Sequence, residues 1–289
     1  MSGDLPEHRR SPDWARGYSR RARVRALLRR VAAVAALTEE SSAVLQSTFG
    51  VPEDRIRVIS NARDSTQFRP AGPLEKGRAR RKLGLVDDHP VVAIVAALSP
   101  EKRVDMAISA VGRTTFPTRL LVVGEGPLRP ELEQHATSVA PGRVSFLGTR
   151  DDMSTILGAA DVLVLTSMSE GVPGVLIEAG LSGLPVVSTD VGYVDDIVVH
   201  GRTGLLVPPG DVDGLVVALE CALRDRNEMG AAGRQRCVEK FALERVSNDW
   251  ADLIRRVLCD CGGTVDIPQR TRASSGKGCD EPADGERTR

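Results

Sequence analysis

From residue 90 onward the chain repeats one rhythm, a short unbroken apolar run followed by a helix-length amphipathic stretch. The runs are Val91–Leu98, Leu120–Val123, Val144–Leu147, Val162–Thr166, Pro185–Ser188 and Leu205–Val207. Apolar runs without polar alternation mark strands buried on both faces. Strands alternating with helices build βαβ units, so the pattern predicts an α/β fold with a doubly wound, Rossmann-like parallel sheet. Ligands of such sheets bind at the carboxyl ends of the strands. The loops that follow the runs are therefore where chemistry is expected.

The flanking segments read differently. A helix is expected over Tyr18–Glu40, around the apolar stretch Val31–Leu37. Thr38-Glu-Glu-Ser has the pattern of a helix cap, and the helix it opens runs to Phe49 and stops at Gly50. Arg55–Ile59 reads as a short strand and Asn61–Pro70 as an irregular connector. Asp211-Val-Asp-Gly opens a helix ending near Asp225, and Glu228–Cys259 reads as further helix. Residues 261–289 are rich in Gly, Ser, Pro and charge, and are expected to be a disordered tail.

Composition removes several functions. Lysine plus arginine equals aspartate plus glutamate at 39 each, so no global charge directs the chain to nucleic acid. Aromatics at 3% leave little for a stacking platform. The five cysteines lie in the last third without paired CxxC units, which reads as reduced thiols. The four histidines are scattered, and no metal is expected. The longest apolar runs fall far below the ~18 residues of a membrane span. No apolar secretory core follows the N-terminus, so a cytoplasmic location is expected. Nine arginines within residues 1–30 add one further expectation, peripheral contact with anionic lipid at the inner membrane face. A merely solvated or interface-seeking helix is the blander alternative.

The most informative loop is Ser167-Met-Ser-Glu-Gly-Val-Pro-Gly-Val-Leu-Ile-Glu-Ala-Gly, which leaves one apolar run and opens a helix. Gly171, Pro173 and Gly174 make a tight turn that exposes backbone. The first N–H groups of the helix, at Gly174, Val175 and Leu176, lack intrahelical partners and with the helix dipole suit a phosphate. Glu170 before the turn and Glu178 after it flank that site. Each carboxylate can accept from two adjacent hydroxyls, as a sugar nucleotide offers on its sugar and on its ribose. On local sequence alone a second interpretation stands beside this, with Glu178 merely offsetting the helix dipole and Glu170 solvated.

The spacing Ser-x-x-Glu170-Gly…Glu178-Ala-x-x-x-Gly-x-Pro-Val-Val resembles the signature of retaining GT-B glycosyltransferases, glycosyltransferase family 4. Leu98-Ser-Pro-Glu-Lys, Val123-Gly-Glu-Gly-Pro-Leu-Arg, Val144-Ser-Phe-Leu-Gly, Ala160-Asp-Val-Leu-Val-Leu-Thr-Ser, Thr189-Asp-Val-Gly and Gly204-Leu-Leu-Val-Pro-Pro-Gly-Asp follow in that family's order. Pro52-Glu-Asp-Arg-Ile-Arg-Val-Ile-Ser-Asn resembles the linker into its donor domain. The resemblance implies the C-terminal half of a GT-B fold. It also implies transfer of a hexose from a nucleotide-diphosphate sugar to an unknown acceptor with retention, without metal or cofactor. It makes Lys102 and Glu170 the catalytic residues, Lys102 on the diphosphate and Glu170 on the transferred sugar. Glu178 would hold the ribose, with Gly124, Gly126, Gly171, Gly174, Val175 and Leu176 lining the donor site. Outside that context Lys102 is an ordinary solvated lysine.

Departures from the family pattern are specific. The Gly-Arg of its first loop, whose arginine is a second diphosphate contact, is here Ala96-Ala97, and Arg103 is the candidate substitute. The linker Asn-Gly-Val-Asp is here Asn61-Ala62-Arg63-Asp64. About sixty residues precede the linker, where the family carries a full acceptor domain. The expected organisation is therefore a remnant of that domain plus linker at 1–70, a nucleotide-sugar-binding domain at 71–225, C-terminal helices at 226–260 and the tail. The alternative function is a non-catalytic donor-binding subunit that needs a partner chain to supply the missing domain. Two decoys fall away. Gly124-Glu-Gly126 lacks the third glycine of a dinucleotide fingerprint. Asp211-Val-Asp213 precedes a helix, where a cap is the simpler role than a metal site.

Overall fold

A computed structural model describes residues 18–260. The expected tail and most of the arginine-rich N-terminus lie outside the described residues. The sheet predicted from the apolar runs is present as six parallel strands. They are β3 (Val91–Val95), β4 (Arg119–Val123), β5 (Val144–Gly148), β6 (Val162–Leu165), β7 (Val186–Thr189) and β8 (Gly204–Val207), ordered β5-β4-β3-β6-β7-β8. The first strand thus lies at the centre, and the winding reverses between β3 and β6, at the switch point where open α/β sheets bind ligands.

Side chains leave each strand alternately to two cores. Ala93, Leu121, Val123, Leu163 and Leu165 join one. It is closed by α6 (Met153–Ala159), α7 (Gly174–Leu181) and α9 (Arg226–Phe241). Val92, Ile94, Leu120, Val122, Val162 and Val164 join the other. That one is covered by α4 (Val104–Arg113), α5 (Arg129–Val139) and α8 (Val212–Arg224). Both faces being buried explains why the runs are continuously apolar. Asp211 caps α8 by accepting from the Gly214 N–H at 2.8 Å, the role preferred for it over metal binding. A buried carboxylate, Asp161, stands just before β6. It accepts from Lys76 Nζ, Arg80 Nη2 and the Val91 N–H, each at 2.7 Å, and ties α3 (Pro73–Lys82) to the sheet.

The N-terminal region corrects one expectation. The helix over Tyr18–Glu40 ends early, as α1 (Tyr18–Leu28), and part of the apolar stretch becomes β1 (Val34–Ala36). This strand pairs in parallel with β2 (Ile56–Val58). A short run of Val and Ala has no period that separates strand from helix, so tertiary pairing decides. The Thr38 cap is present, accepting from Ser41 N–H at 3.1 Å, and opens α2 (Glu39–Phe49). Gly50 ends that helix in the left-handed conformation at φ 66°. Phe49, Val51, Ile56 and Ala36 form a small separate core.

The C-terminal helical segment divides at a point that the sequence does not mark. It forms two helices, α9 and α10 (Leu243–Asp260), broken at Ala242 with ψ 140°. The linker fills the break. Arg63 N–H donates to the Phe241 carbonyl at 3.0 Å, and Leu243 N–H donates to the Arg63 carbonyl at 2.9 Å. The backbone groups released by the break are thereby satisfied. Val246 and Leu253 of α10 then pack on Ile59, joining the small N-terminal unit to the last helix among the described residues. No helix among the described residues is long and apolar enough to cross a membrane.

Candidate functional site

The site forms where the loops after β3 and β6 meet. Two hydrogen bonds bolt them together, Thr166 Oγ1 to the Lys102 carbonyl at 2.9 Å and Met168 N–H to the Glu101 carbonyl at 2.8 Å. Residues Pro100–Lys102 form a single 3-10 turn, and Arg103 follows at φ 45°, ψ 44°. It is the one non-glycine residue at positive φ among the described residues. A side-chain-bearing residue there costs about 1–2 kcal/mol. Backbone strain of this kind is often held at functional loops. Here it immediately follows Lys102.

Lys102 Nζ lies 2.7 Å from Glu170 Oε1, although the two are 68 positions apart in sequence. Ser167 Oγ donates to the same oxygen at 2.6 Å. Both bonds fall on Oε1, leaving Oε2 as an acceptor for a ligand. The pair is largely enclosed, with side-chain exposures of 24% for Lys102 and 11% for Glu170. Behind Glu170 the chain is clamped from the loop after β7. A Cβ on Gly192 would stand 2.0 Å from the Glu170 carbonyl oxygen.

α7 begins beside this pair. Its preceding residue is Pro173, which supplies no side-chain cap, and Leu176 N–H turns back to the Pro173 carbonyl at 3.2 Å. Of the three expected phosphate donors, Leu176 is thus already engaged, while the Gly174 and Val175 N–H groups find no acceptor among the described residues. Glu178 lies one turn along from Gly174, on the same face. Its Oε1 accepts from Arg63 Nε at 2.6 Å. Asn61 Nδ2 donates to the Val172 carbonyl at 3.0 Å, so the linker binds this loop at a second point.

The remaining predicted residues have clear placements. Gly124, at φ 131°, and Gly126 let the loops after β3 and β4 run in backbone contact. A Cβ on them would sit 2.0 Å from the Ala96 carbonyl oxygen and 2.4 Å from that of Leu98. Gly171 has open space around its Cβ position. Arg103 is turned onto Asp105, whose carboxylate grips Nε and Nη2 at 3.0 and 2.9 Å and raises the guanidinium further above its ordinary pKa. Sequence reasoning treated Arg63 only as a residue in an altered turn. The signal available was a cation where the resembling linker is apolar. No group of three or more His, Cys, Asp or Glu is arranged to hold a metal among the described residues.

Comparison with known proteins bears on the family and the fold. Residues 89–225 match the family described as glycosyl transferases group 1. Alpha-maltose-1-phosphate synthase of Mycolicibacterium smegmatis is 30% identical over 232 residues, covering 74% of this chain and 60% of that protein. The 2-deoxystreptamine glucosyltransferase of Streptomyces kanamyceticus is 31% identical, covering 76% of this chain and 59% of that protein. The chain thus spans about 60% of the length of these curated relatives. Among solved structures, sucrose-phosphate synthase of Thermosynechococcus elongatus superposes with a TM-score of 0.73 at 26% identity, covering 86% of this chain and 64% of that one. Anabaena HepE with UDP shares the fold at a TM-score of 0.75 and 24% identity, covering 82% of this chain and 68% of that one. Through the domain at residues 89–225 the chain belongs to the glycosyl transferases group 1 family, and its six-stranded sheet is the Rossmann-like C-terminal half of a GT-B fold.

Proposed function

We infer that the chain binds a nucleotide-diphosphate hexose at the β3–β6 switch point and transfers the hexose to an acceptor hydroxyl with retention of configuration, without a metal. The observation that carries this is the convergence of Lys102, Glu170 and the uncapped start of α7. A cation and an open helix N-terminus suit a diphosphate, and the free oxygen of Glu170 suits a sugar hydroxyl. The likeness to named glucosyl- and glycosyltransferases supports hexosyl transfer, and HepE, which shares the fold, has been crystallised with UDP-glucose.

In this scheme the bond from the anomeric carbon to the diphosphate breaks and the acceptor oxygen bonds that carbon on the same face. The acceptor proton passes to the departing diphosphate. Negative charge grows on the leaving group, where Lys102 and the Gly174 and Val175 N–H groups neutralise it. Glu170 fixes the sugar and Glu178 the ribose. The base lies toward the ends of β4 and β5, near Phe146–Arg150. Phe146, partly buried, packs against the core there and Arg150 is held by Asp152, so backbone groups do most of that recognition. The acceptor-binding half comes from outside the described sheet.

A second reading, a donor-binding subunit without its own activity, is favoured by one observation, the Arg63 guanidinium resting on Glu178. Proton NMR of the first-formed sugar product separates the two. An α-linked donor should give an α-configured product, and Lys102→Ala should slow its release by about 10²–10³-fold. A β product contradicts retention. No turnover with nucleotide sugar bound supports the subunit reading.

A further inference from the structure

We propose that Arg63 is a diphosphate-binding residue of this site, drawn from its ion pair with Glu178 onto the phosphates when the ribose takes that carboxylate. The inference rests on the donor-site reading above and adds a residue to it. Arg63 belongs to neither the sheet nor its loops. It stands in the connector from the N-terminal unit, and its backbone is pinned on both sides by the break between α9 and α10. The side chain therefore leaves from a fixed point.

That side chain reaches the start of α7. A Cβ on Gly174 would meet Arg63 Nη2 at 1.9 Å and Cζ at 2.7 Å, so the guanidinium lies directly against the first residue of the helix. A helix N-terminus carries about half a positive charge, and a cation there is unfavourable unless an anion intervenes. Glu178 is that anion in this structure, at 2.6 Å from Nε. Nη1 donates to the Ala62 carbonyl at 2.9 Å. Nη2, the nitrogen nearest Gly174, makes no hydrogen bond to a described residue and is free to donate. The Arg63 side chain is 35% exposed, so a ligand can reach it.

The other cations of the site are differently placed. Lys102 is engaged with Glu170, and Arg103 is gripped by Asp105. Ala96 and Ala97 offer no charge at all. An anion between Gly174 and Arg63 would take N–H donors from both, and the planar guanidinium suits two phosphate oxygens at once. The same anion would free Glu178 for the ribose hydroxyls. Donor binding then exchanges an internal ion pair for two ligand contacts, and the connector becomes part of the donor site.

The test compares a nucleoside diphosphate with its nucleoside. Wild type, Arg63→Ala and Arg63→Lys are titrated with UDP, GDP and ADP by calorimetry. The matching nucleoside is titrated by NMR, and a thermal melt checks folding. For whichever diphosphate binds, Arg63→Ala should weaken affinity by about tenfold or more, a loss typical of a charge-assisted contact. Nucleoside binding should stay unchanged or tighten, because Glu178 is released. Arg63→Lys should recover part of the loss. If Arg63→Ala tightens the diphosphate and the nucleoside alike, Arg63 is only a plug on Glu178 and the proposal is overturned. An unchanged diphosphate affinity overturns it too, while the donor-site reading survives both results. If folded wild type and variants bind no nucleoside diphosphate, the donor-site reading itself fails and the proposal goes with it.

Discussion

Substituting Gly192 by alanine tests how Glu170 is held. Gly192 has φ 57°, a conformation that costs an ordinary residue about 1–2 kcal/mol. The new Cβ would also lie 2.0 Å from the Glu170 carbonyl oxygen and 2.8 Å from its carbon, against a practical limit of 3.0 Å. Both contacts are with backbone, so no side chain can swing aside. One peptide has to move by roughly an ångström, and overpacking of this kind costs about 1–3 kcal/mol. Together the two effects cost about 2–5 kcal/mol, or roughly 5–15 °C in Tm for a chain of this size. The moving peptide is that of Glu170, so the damage should be selective. Calorimetry should show nucleotide affinity nearly preserved and the added affinity of the sugar nucleotide lost. Turnover should fall on the order of 10²-fold, as expected of an ångström-scale misplacement. Gly201→Ala is the control, since it shares the positive φ, at 75°, while its Cβ would meet nothing within 4 Å. A Gly192→Ala protein with wild-type Tm and undiminished preference for the sugar nucleotide would refute this account of the loop.

Other expectations follow from the same structure. Asp161→Ala removes the partner of Lys76, Arg80 and the Val91 N–H and should lower stability by about 3–5 kcal/mol in chemical denaturation. Asp161→Asn should recover the part owed to the Val91 contact. Burial pushes the Cys237 thiol up to about 12, so peptide mapping after alkylation at pH 8 should find it protected until the protein unfolds, with the exposed Cys259 modified before it. Hydrogen bonds from Arg150 and Lys82 hold the Asp152 carboxyl below its ordinary range. A lowered carboxyl stabilises the fold above the unfolded value and loses that contribution as pH falls through the folded one. The Tm gap between wild type and Asp152→Asn should therefore be full at neutral pH and shrink steadily below about pH 4.

The strands of the large sheet were legible because burial on both faces leaves a continuous apolar run, which few loops imitate. The residues of the candidate site could be named from the sequence one by one, but not as a pair. Lys102 and Glu170 meet only because β3 and β6 are neighbours, and no local stretch of sequence displays that adjacency. The structure also takes the same glycines in two senses. Gly124 and Gly126, read as donor-site residues, have a packing reason in the contact between two loops.

Where the reading went astray, long-range pairing outweighed local preference. Val34–Ala36 becomes a strand because Ile56–Val58 lies beside it. The helix after Glu228 breaks at Ala242, with neither Gly nor Pro to announce it, because Arg63 offers backbone partners on both sides of the break. Arg63, proposed above as a diphosphate contact, was not among the residues the sequence singled out. Its reach to Gly174 and Glu178 depends on the course of the connector across α7, which sequence spacing alone does not specify.

The central claim is that Lys102, Glu170 and the start of α7 form a donor site for a nucleotide-diphosphate sugar. The most direct measurement is calorimetric titration of the purified chain with UDP-glucose, GDP-mannose and ADP-glucose, beside Lys102→Ala and Glu178→Ala. The account predicts binding of one donor at one site, weakened at least tenfold in each variant. A folded chain that binds none of them, or that binds one equally well without Lys102 and Glu178, would contradict it.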